Sequence, residues 1–316
     1  MRNFSLVTAL LISCATAAIA SPAPTKVQLP CESRHQRLSP TGAQAVVLCK
    51  DHSIHLVNLP DGSERLLYPA DRRISELSFS QDGKWLAAGF HDGTVEVISS
   101  DGTGAARQWK ADSNRIDNLY FFADGKKLFV SAMNHPGTIW ELAGTPTLLA
   151  TLPDQFGGVA SVAVSPDGKW LVAGGGDTVV RWYDTATWQK TREYDGFLLD
   201  SFALAFTPDG KYLLAGGADS RITIFDVASG KQMRQLPPQM GSSVGDIDFL
   251  SDKSQVMTNY FDNAGEKPPH RLIWDLTTGQ STPVQIDFRP TCGSVVDGKL
   301  WLCNSDGKML TITQQQ

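Results

Sequence analysis

A short turn motif recurs along this chain at almost constant spacing, and that spacing constrains the fold more than any other feature. In a typical copy Asp bonds its own backbone and Gly takes a positive φ at no steric cost, so the chain reverses between two β-strands. Taking the Gly or its equivalent, successive intervals are 41, 42, 43, 42, 43 and 45 residues. The copies are Ser80–Lys84, Ala123–Lys126, Ser165–Lys169 and Thr207–Lys211, with weaker ones at Ser39–Gly42, Ser251–Ser254 and Asp297–Lys299.

The residues around each turn predict four short strands per unit. Val162–Val164 before one turn and Trp170–Ala173 after it are rich in residues that favour strands. A shorter and more polar fourth strand is predicted over Lys231–Leu236. Seven such units predict an all-β chain, a seven-bladed β-propeller of four-stranded antiparallel blades, as one domain over residues 21–316. The third strands end in aromatic-acidic pairs at Trp140-Glu141, Tyr183-Asp184, Phe225-Asp226 and Trp274-Asp275.

The turn series and the Trp274-Asp275 pair resemble the WD40 repeat family over the whole of residues 21–316. The Gly-His dipeptide that this family places before the innermost strand is missing from every unit. A looser WD40-like or TolB-like propeller therefore describes the resemblance best, and it implies a rigid disc that binds protein partners.

The first strand of the chain is predicted to close the ring. The last unit has strand-like residues at 294–296, 300–303 and 309–313 but no outer strand. Thr25–Pro30 resembles the outer strand Met233–Pro237 of the fifth unit. We expect Thr25–Pro30 to complete the seventh blade and cover an edge that would otherwise invite pairing with other chains.

The N-terminal residues 1–20 have the pattern of a signal peptide. A positively charged start is followed by the apolar run Phe4–Ile12 and by the small-residue site Ala18–Ala20. Cleavage after Ala20 predicts a periplasmic or secreted protein that begins at Ser21. Leu11–Cys14 also resembles a lipobox, so a lipid anchor at Cys14 is the alternative. No later stretch has the eighteen or so apolar residues that a membrane helix needs.

Four cysteines remain after this cleavage, and an even number in an exported chain favours disulfides. Cys31 and Cys49 lie on either side of one turn, and Cys292 and Cys303 lie on either side of another. We therefore expect the disulfides Cys31–Cys49 and Cys292–Cys303. A Cys49–Cys303 bond would join neighbouring blades roughly 10 Å apart, beyond the ~7 Å limit between bridged Cα atoms.

Charge and motifs argue against several classes of function. Lys and Arg number 28 against 33 Asp and Glu, a net charge of −5, and the two signs are interleaved, so nucleic-acid binding by charge is not expected. Gly-x-Ser-x-Gly and His-Glu-x-x-His motifs are absent from the sequence. Gly174–Gly176 and Gly216–Gly217 stand where blades are expected to converge, so we interpret them as packing residues. The sequence predicts no cofactor, no metal site and no catalytic residues.

One face of the predicted disc collects residues typical of protein interfaces. The loops between second and third strands carry His52, His91 and His135, and equivalent points on adjacent blades are too far apart for these to share a metal. Aromatic and Arg side chains often anchor interfaces. The residues predicted to form a partner-binding face are Arg73, His91, Arg115, His135, Phe156, Phe197, Tyr260 and Phe261.

The sequence favours a non-enzymatic interaction scaffold with an unidentified protein partner. An extended loop between Asn259 and Leu272 is a further candidate contact. The alternative is an enzyme or small-ligand binder with a site at the mouth of the central channel, where carboxylates from different blades can meet.

Overall fold

The computed structural model describes residues 25–153, 158–195, 201–239, 241–250, 254–262, 270–284, 292–296, 299–306 and 309–315. These residues form seven four-stranded antiparallel sheets, as the repeat spacing predicts. The first strand, and then the strands of blades 1 to 3, are β1 (Thr25–Gln28), β2 (Ser33–Leu38), β3 (Gln44–Cys49), β4 (Ile54–Asn58), β5 (Glu64–Tyr68), β6 (Ile74–Phe79), β7 (Trp85–Phe90), β8 (Thr94–Ser99), β9 (Arg107–Lys110), β10 (Ile116–Phe121), β11 (Lys127–Ala132), β12 (Thr138–Glu141) and β13 (Thr147–Thr151).

The remaining blades continue the same pattern. The first strands of neighbouring blades contact one another, for example at the junctions of blades 4 with 5 and 5 with 6, so these strands surround the central axis. The strands of blades 4 to 7 are β14 (Ser161–Val164), β15 (Trp170–Gly174), β16 (Val180–Asp184), β17 (Lys190–Tyr194), β18 (Ser201–Phe206), β19 (Tyr212–Gly217), β20 (Ile222–Asp226), β21 (Gln232–Leu236), β22 (Ser242–Phe249), β23 (Gln255–Asp262), β24 (His270–Asp275), β25 (Ser281–Pro283), β26 (Cys292–Val296), β27 (Lys299–Asp306) and β28 (Met309–Gln315).

The N-terminal strand closes the ring as predicted. The seventh sheet has the order β1-β28-β27-β26, and Val27 pairs with Leu310. Val27 is buried. The two ends of the described chain therefore lie in one blade, and the outer edge of β28 is covered.

The predicted disulfides have different outcomes. A disulfide joins Cys31 and Cys49 with a Cα–Cα distance of 5.8 Å, which confirms the first pairing. Because Cys31 follows β1, this bond ties the closing strand of blade 7 to β3 of blade 1. Cys292 and Cys303 are directly opposed partners on β26 and β27. Directly opposed residues on paired strands are close enough for a disulfide. The Cys292–Cys303 disulfide stays a prediction.

The recurring turns are held by their Asp side chains. Asp82 accepts hydrogen bonds from the Ser80 hydroxyl at 2.7 Å and from the Lys84 N–H at 3.1 Å. These bonds hold the pKa of Asp82 below its usual range. Asp167 and Asp209 make the same pair of bonds in blades 4 and 5. The turn Gly at each of these sites has a positive φ, so the conformation requires both residues of the motif.

Arginines on the outer strands connect neighbouring blades, a feature that the sequence analysis missed. In blades 1, 2, 4 and 5 the same position of the outer strand is an Arg, paired in register with the third strand. Each arginine donates to a backbone carbonyl at or just after the end of the third strand in the next blade. Blade 3 differs, because Ala150 occupies the position of the arginine in its outer strand. The donor and acceptor pairs are Arg65 to Ser99, Arg107 to Leu142, Arg192 to Val227 and Arg234 to Thr277.

Glycines at the ends of second strands allow blades to approach closely, as the repeat position predicts. A Cβ on Gly89 would lie 2.5 Å from Cγ2 of Ile116, on the first strand of the next blade. A Cβ on Gly216 would lie 2.6 Å from Cγ1 of Val244, in the equivalent place three junctions further round. Such distances are shorter than atoms tolerate, so these positions require glycine for packing.

We predict that Gly216→Ala lowers the free energy of unfolding by about 1–3 kcal/mol, the usual cost of overpacking a core, as measured by urea denaturation. The cause is the contact with Val244, so adding Gly216→Ala to a Val244→Ala protein should cost clearly less. Additive effects of the two substitutions would show that this contact does not limit the residue.

Candidate interaction face

The loops that join second to third strands and the loops that lead from blade to blade lie on one side of the disc, here called the entry face. In blades 1 to 3 hydrogen bonds fix these loops. Asp51 accepts from the Ser53 N–H and Asp92 from the Thr94 N–H, each at 2.9 Å. The loops of the entry face in these blades are residues 50–53, 69–73, 91–93, 111–115 and 133–137.

Arg73 and Arg115 occupy equivalent positions on the entry face. The His91 N–H donates to the Arg73 carbonyl at 2.9 Å, and the Met133 N–H donates to the Arg115 carbonyl at 3.0 Å. A β-bulge follows each arginine, where β6 and β10 shift register. Bulges redirect side chains, and here the bulged residues are Ser75 and Asp117.

The bulged residues give the two arginines different surroundings. Asp117 pairs with Arg115 at 2.8 Å. Ser75 instead donates its hydroxyl to the Gly89 carbonyl at 3.1 Å. Arg73 is exposed, and among the residues that the structure describes its guanidinium has no ion pair or hydrogen bond.

Arg72 is held between aromatic rings and a buried carboxylate. Its guanidinium carbon lies 4.2 Å from the centre of the Phe90 ring, and its Nη2 lies 3.3 Å from Glu96 Oε2. The Tyr68 hydroxyl donates to the other Glu96 oxygen at 3.1 Å. Burial and the Glu96 carboxylate raise the pKa of Tyr68, which keeps it a donor. Arg72 is thus fixed in place before any partner arrives.

A groove of about 500 Å³ opens between blades 1 and 2. Within the described part of the chain, its lining combines apolar residues with four basic side chains and contains no acidic side chain. A second groove of about 420 Å³ adjoins it and includes Asp71 and Asp92. We call the first of these the cationic groove, and its lining residues are Leu48, His52, Ile54, Ala70, Arg72, Arg73, Ile74 and His91.

His135 in blade 3 is engaged with its neighbours. Its Nδ1 lies 2.8 Å from Asp112 Oδ1, and the Asn114 amide lies 3.3 Å from its Nε2. Partial burial raises the pKa of Asp112, but hydrogen bonds from the Asn114 N–H and from His135 outweigh this and hold that pKa below its usual range. The triad joins the loop entering blade 3 to the loop between its second and third strands, next to Met133, which is 39% exposed.

The structure corrects the predicted loop position of two residues, Tyr260 and Phe261. Tyr260 lies within β23, not in a loop; it is fully buried, and its ring stacks on His270 with centroids 5.2 Å apart. The repeat pattern misled here because β23 has eight residues, more than the second strand of any of blades 1 to 5. Phe261 is also a residue of β23, opposite Ser243. Phe156 and Phe197 lie outside the described residues, as does most of the predicted loop of blade 6.

Residues that the sequence analysis missed complete this face. Arg72, Asp112 and Met133 have no repeat signature, although Arg72 adjoins the predicted Arg73 and Met133 lies two residues from His135. Their roles depend on contacts between loops of different blades, which the sequence does not display.

The channel wall of blade 6 carries an unusual carboxyl group. Burial, and then the nearby Asp246 carboxylate, raise the pKa of Asp248 to about 7, against the opposing effect of Arg271. Burial lowers the pKa of Arg271. In the part of the chain that the structure describes, no three His, Cys, Asp or Glu side chains are grouped to hold a metal.

Two family descriptions match parts of the chain. The WD domain, G-beta repeat family matches residues 146–184 and 191–226. The anaphase-promoting complex subunit 4 WD40 domain matches residues 67–135. The latter range contains the cationic groove's Arg72, Arg73 and His91.

Individual relatives are similar over less than half of the chain. COMPASS component SWD3 of Saccharomyces cerevisiae is 30% identical over 145 residues, which cover 45% of this chain and 45% of the relative. The WD repeat-containing protein sll1491 of Synechocystis is 27% identical over 141 residues, or 43% of this chain and 39% of the relative. The matches thus span less than half of the length of either relative.

A solved chain in the crystal structure of the mitotic checkpoint complex is similar over 100% of this chain and 99% of its own length, with a TM-score of 0.76 and 17% identity. That likeness concerns the fold. Together with the matches to WD40 repeats, the seven sheets show that this chain has the fold of a WD40-like seven-bladed β-propeller.

Among the described residues, no helix has the length and apolar character to span a membrane.

We predict that His135→Ala raises the pKa of Asp112, because it removes a hydrogen bond to the carboxylate. The carboxyl carbon shift in an NMR titration measures this, and His91→Ala, which leaves Asp112 untouched, is the control. Because the pKa of Asp112 is lower in the folded than in the unfolded chain, its ionised carboxylate stabilises the fold at pH values above the unfolded pKa. This stabilisation is lost as the pH falls through the folded pKa. An unchanged midpoint in His135→Ala would contradict the assigned contact.

Proposed function

We propose that this protein is a non-enzymatic scaffold that binds a protein partner through the entry face of blades 1 to 3. The observation that carries this proposal is that the exposed Arg73, His91 and Met133 lie on loops of one face that are fixed by hydrogen bonds. Fixed loops lose little conformational entropy on binding. Arginine and methionine are enriched in the cores of protein interfaces.

The relatives support this class of function. WD40 propellers generally act as protein-interaction scaffolds. One relative is named as a component of COMPASS, and another as a subunit of a target of rapamycin complex in Schizosaccharomyces pombe. A subunit role for this chain extends those names by analogy, and the partner's identity is left to experiment.

The proposed place of action is outside the cytoplasm, after cleavage behind Ala20. Two features support export: the signal-like pattern of residues 1–20 and the Cys31–Cys49 disulfide. Disulfides persist in oxidising compartments and are rare in reducing ones.

A photo-crosslinking residue placed at Met133 tests the interaction, and the same residue at Lys169 is the matched control. Lys169 is exposed in a turn on the opposite side of the disc. We expect capture of a discrete partner in the native cells from position 133 and none from position 169. Equal capture from both positions, or from neither, would contradict binding through the entry face.

Processing has a separate test. N-terminal sequencing of the protein from cell-envelope and culture-medium fractions should begin at Ser21. A chain that starts at a lipid-modified Cys14 would establish the lipoprotein alternative, and one that keeps Met1 in the cytoplasmic fraction would rule out export.

A further inference from the structure

The cationic groove is a local concentration of positive charge in an acidic chain. Among the residues that the structure describes, its lining has the guanidinium groups of Arg72 and Arg73, the imidazoles of His52 and His91 as hydrogen-bonding groups, and no carboxylate. The whole chain carries a net charge of −5. Charges further away than a Debye length of about 8–10 Å are largely screened, so the groove's own side chains and the nearby Glu96, Asp71 and Asp92 decide what it attracts.

We propose that the cationic groove binds the carboxylate of an Asp or Glu side chain in an extended segment of the partner protein. This rests on the proposed function of the entry face and names the chemistry of what that face recognises. Arg73 is the primary contact, and Arg72 forms the rigid side of the groove.

Arg73 is available for this role because of a difference between two blades. In blade 3 the equivalent Arg115 is neutralised by Asp117, two residues further on. In blade 2 that position is Ser75, whose hydroxyl is committed to the Gly89 carbonyl. The chain thus contains the same arginine twice, once with an internal carboxylate and once without. A carboxylate from a partner supplies to Arg73 what Asp117 supplies to Arg115.

Arg72 adds a fixed positive charge. Its contacts with Phe90 and Glu96 set its orientation, and the single bond to Glu96 uses only one of the five N–H donors of a guanidinium. A guanidinium that is already held in one orientation loses little conformational freedom when it binds a planar carboxylate. Hydrogen bonds between Arg and a carboxylate are among the strongest that side chains make.

Apolar residues strengthen the attraction. Leu48, Ile54 and Ile74 line the groove beside the arginines, and Ile54 is fully buried. An apolar wall lowers the local dielectric constant, which increases the energy of a charge pair relative to water. The wall also contacts the methylene groups of an entering Glu or Asp.

The adjoining groove limits the partner's sequence. It shares Arg72, Arg73 and His91 with the cationic groove but adds Asp71 and Asp92, and Asp92 is fixed by its bond to Thr94. A second acidic residue placed in that groove meets like charge. We therefore expect an acidic residue next to neutral or basic ones, and not a long run of acidic residues.

The test uses a fluorescent peptide with one Glu among neutral and Lys residues, and the same peptide with Gln in place of Glu, in a polarisation titration of the full chain. We expect the Glu peptide to bind about tenfold more tightly, a difference of ~1.4 kcal/mol, and the advantage to shrink at high salt. Equal binding of the two peptides would overturn the proposal. A phosphoserine peptide that binds while the Glu peptide does not would overturn it as well.

Variants locate the contact. Arg73→Gln should remove the preference for Glu, and Ser75→Asp should do the same by giving Arg73 an internal carboxylate. Ser75→Ala controls for the lost bond to Gly89, and Arg115→Ala controls for loss of an arginine that is already paired; both should retain the preference. An unchanged preference in Arg73→Gln, in protein whose melting temperature matches the parent, would contradict the assignment.

The two proposals fail separately. If crosslinking at Met133 captures a partner but the Glu and Gln peptides bind alike, the entry face binds protein without using the cationic groove for a carboxylate. If neither crosslinking nor the peptides give a signal, the proposed function fails as well.

Discussion

The pairing of β1 with β28 is the interaction on which the rest of the structure depends. A blade buries both faces of its sheet against neighbours, so an open row of blades would leave two faces and an outer edge uncovered. Four residue pairs from Thr25–Gln28 complete the last blade and bring blade 7 against blade 1. The Cys31–Cys49 bond then ties this strand to blade 1. Blades that cannot slide apart hold the loops of the entry face in constant positions.

Neighbouring blades are held together by glycine packing near the central axis and by arginine hydrogen bonds at the outer rim. Near the axis, glycines such as Gly89 and Gly216 let the first strand of the next blade approach. At the rim, outer-strand arginines such as Arg192 donate to carbonyls of the next blade. The guanidinium of Arg192 also lies over the Trp170 ring at 5.1 Å. A repeat protein gains stability from such nearest-neighbour interfaces, and the interfaces of blade 2 with blade 3 and of blade 5 with blade 6 are fixed at both their inner and outer ends.

The entry face shows how a regular scaffold produces an irregular surface. Arg73 and Arg115 occupy equivalent positions, and the carbonyl of each accepts an equivalent backbone hydrogen bond. The residue in the following bulge nevertheless decides whether the guanidinium has a carboxylate partner. Asp117 neutralises one arginine, and Ser75 leaves the other exposed. The repeat supplies the rigid position, while a single substitution between repeats decides whether that position is available to a partner.

The strands, the turns, the number of blades and the closing strand could all be predicted from the sequence, because each depends on local chemistry repeated at a regular interval. The Cys31–Cys49 bond could be predicted because the two cysteines lie on either side of one turn. The sequence also placed Arg73, His91, Arg115 and His135 on one face, since that follows from blade topology. It failed at Tyr260, where an insertion lengthened a hairpin and broke the repeat. Which arginine is paired, which loops meet and where the groove opens became visible only in three dimensions, because these depend on distances between blades that no spacing along the chain encodes.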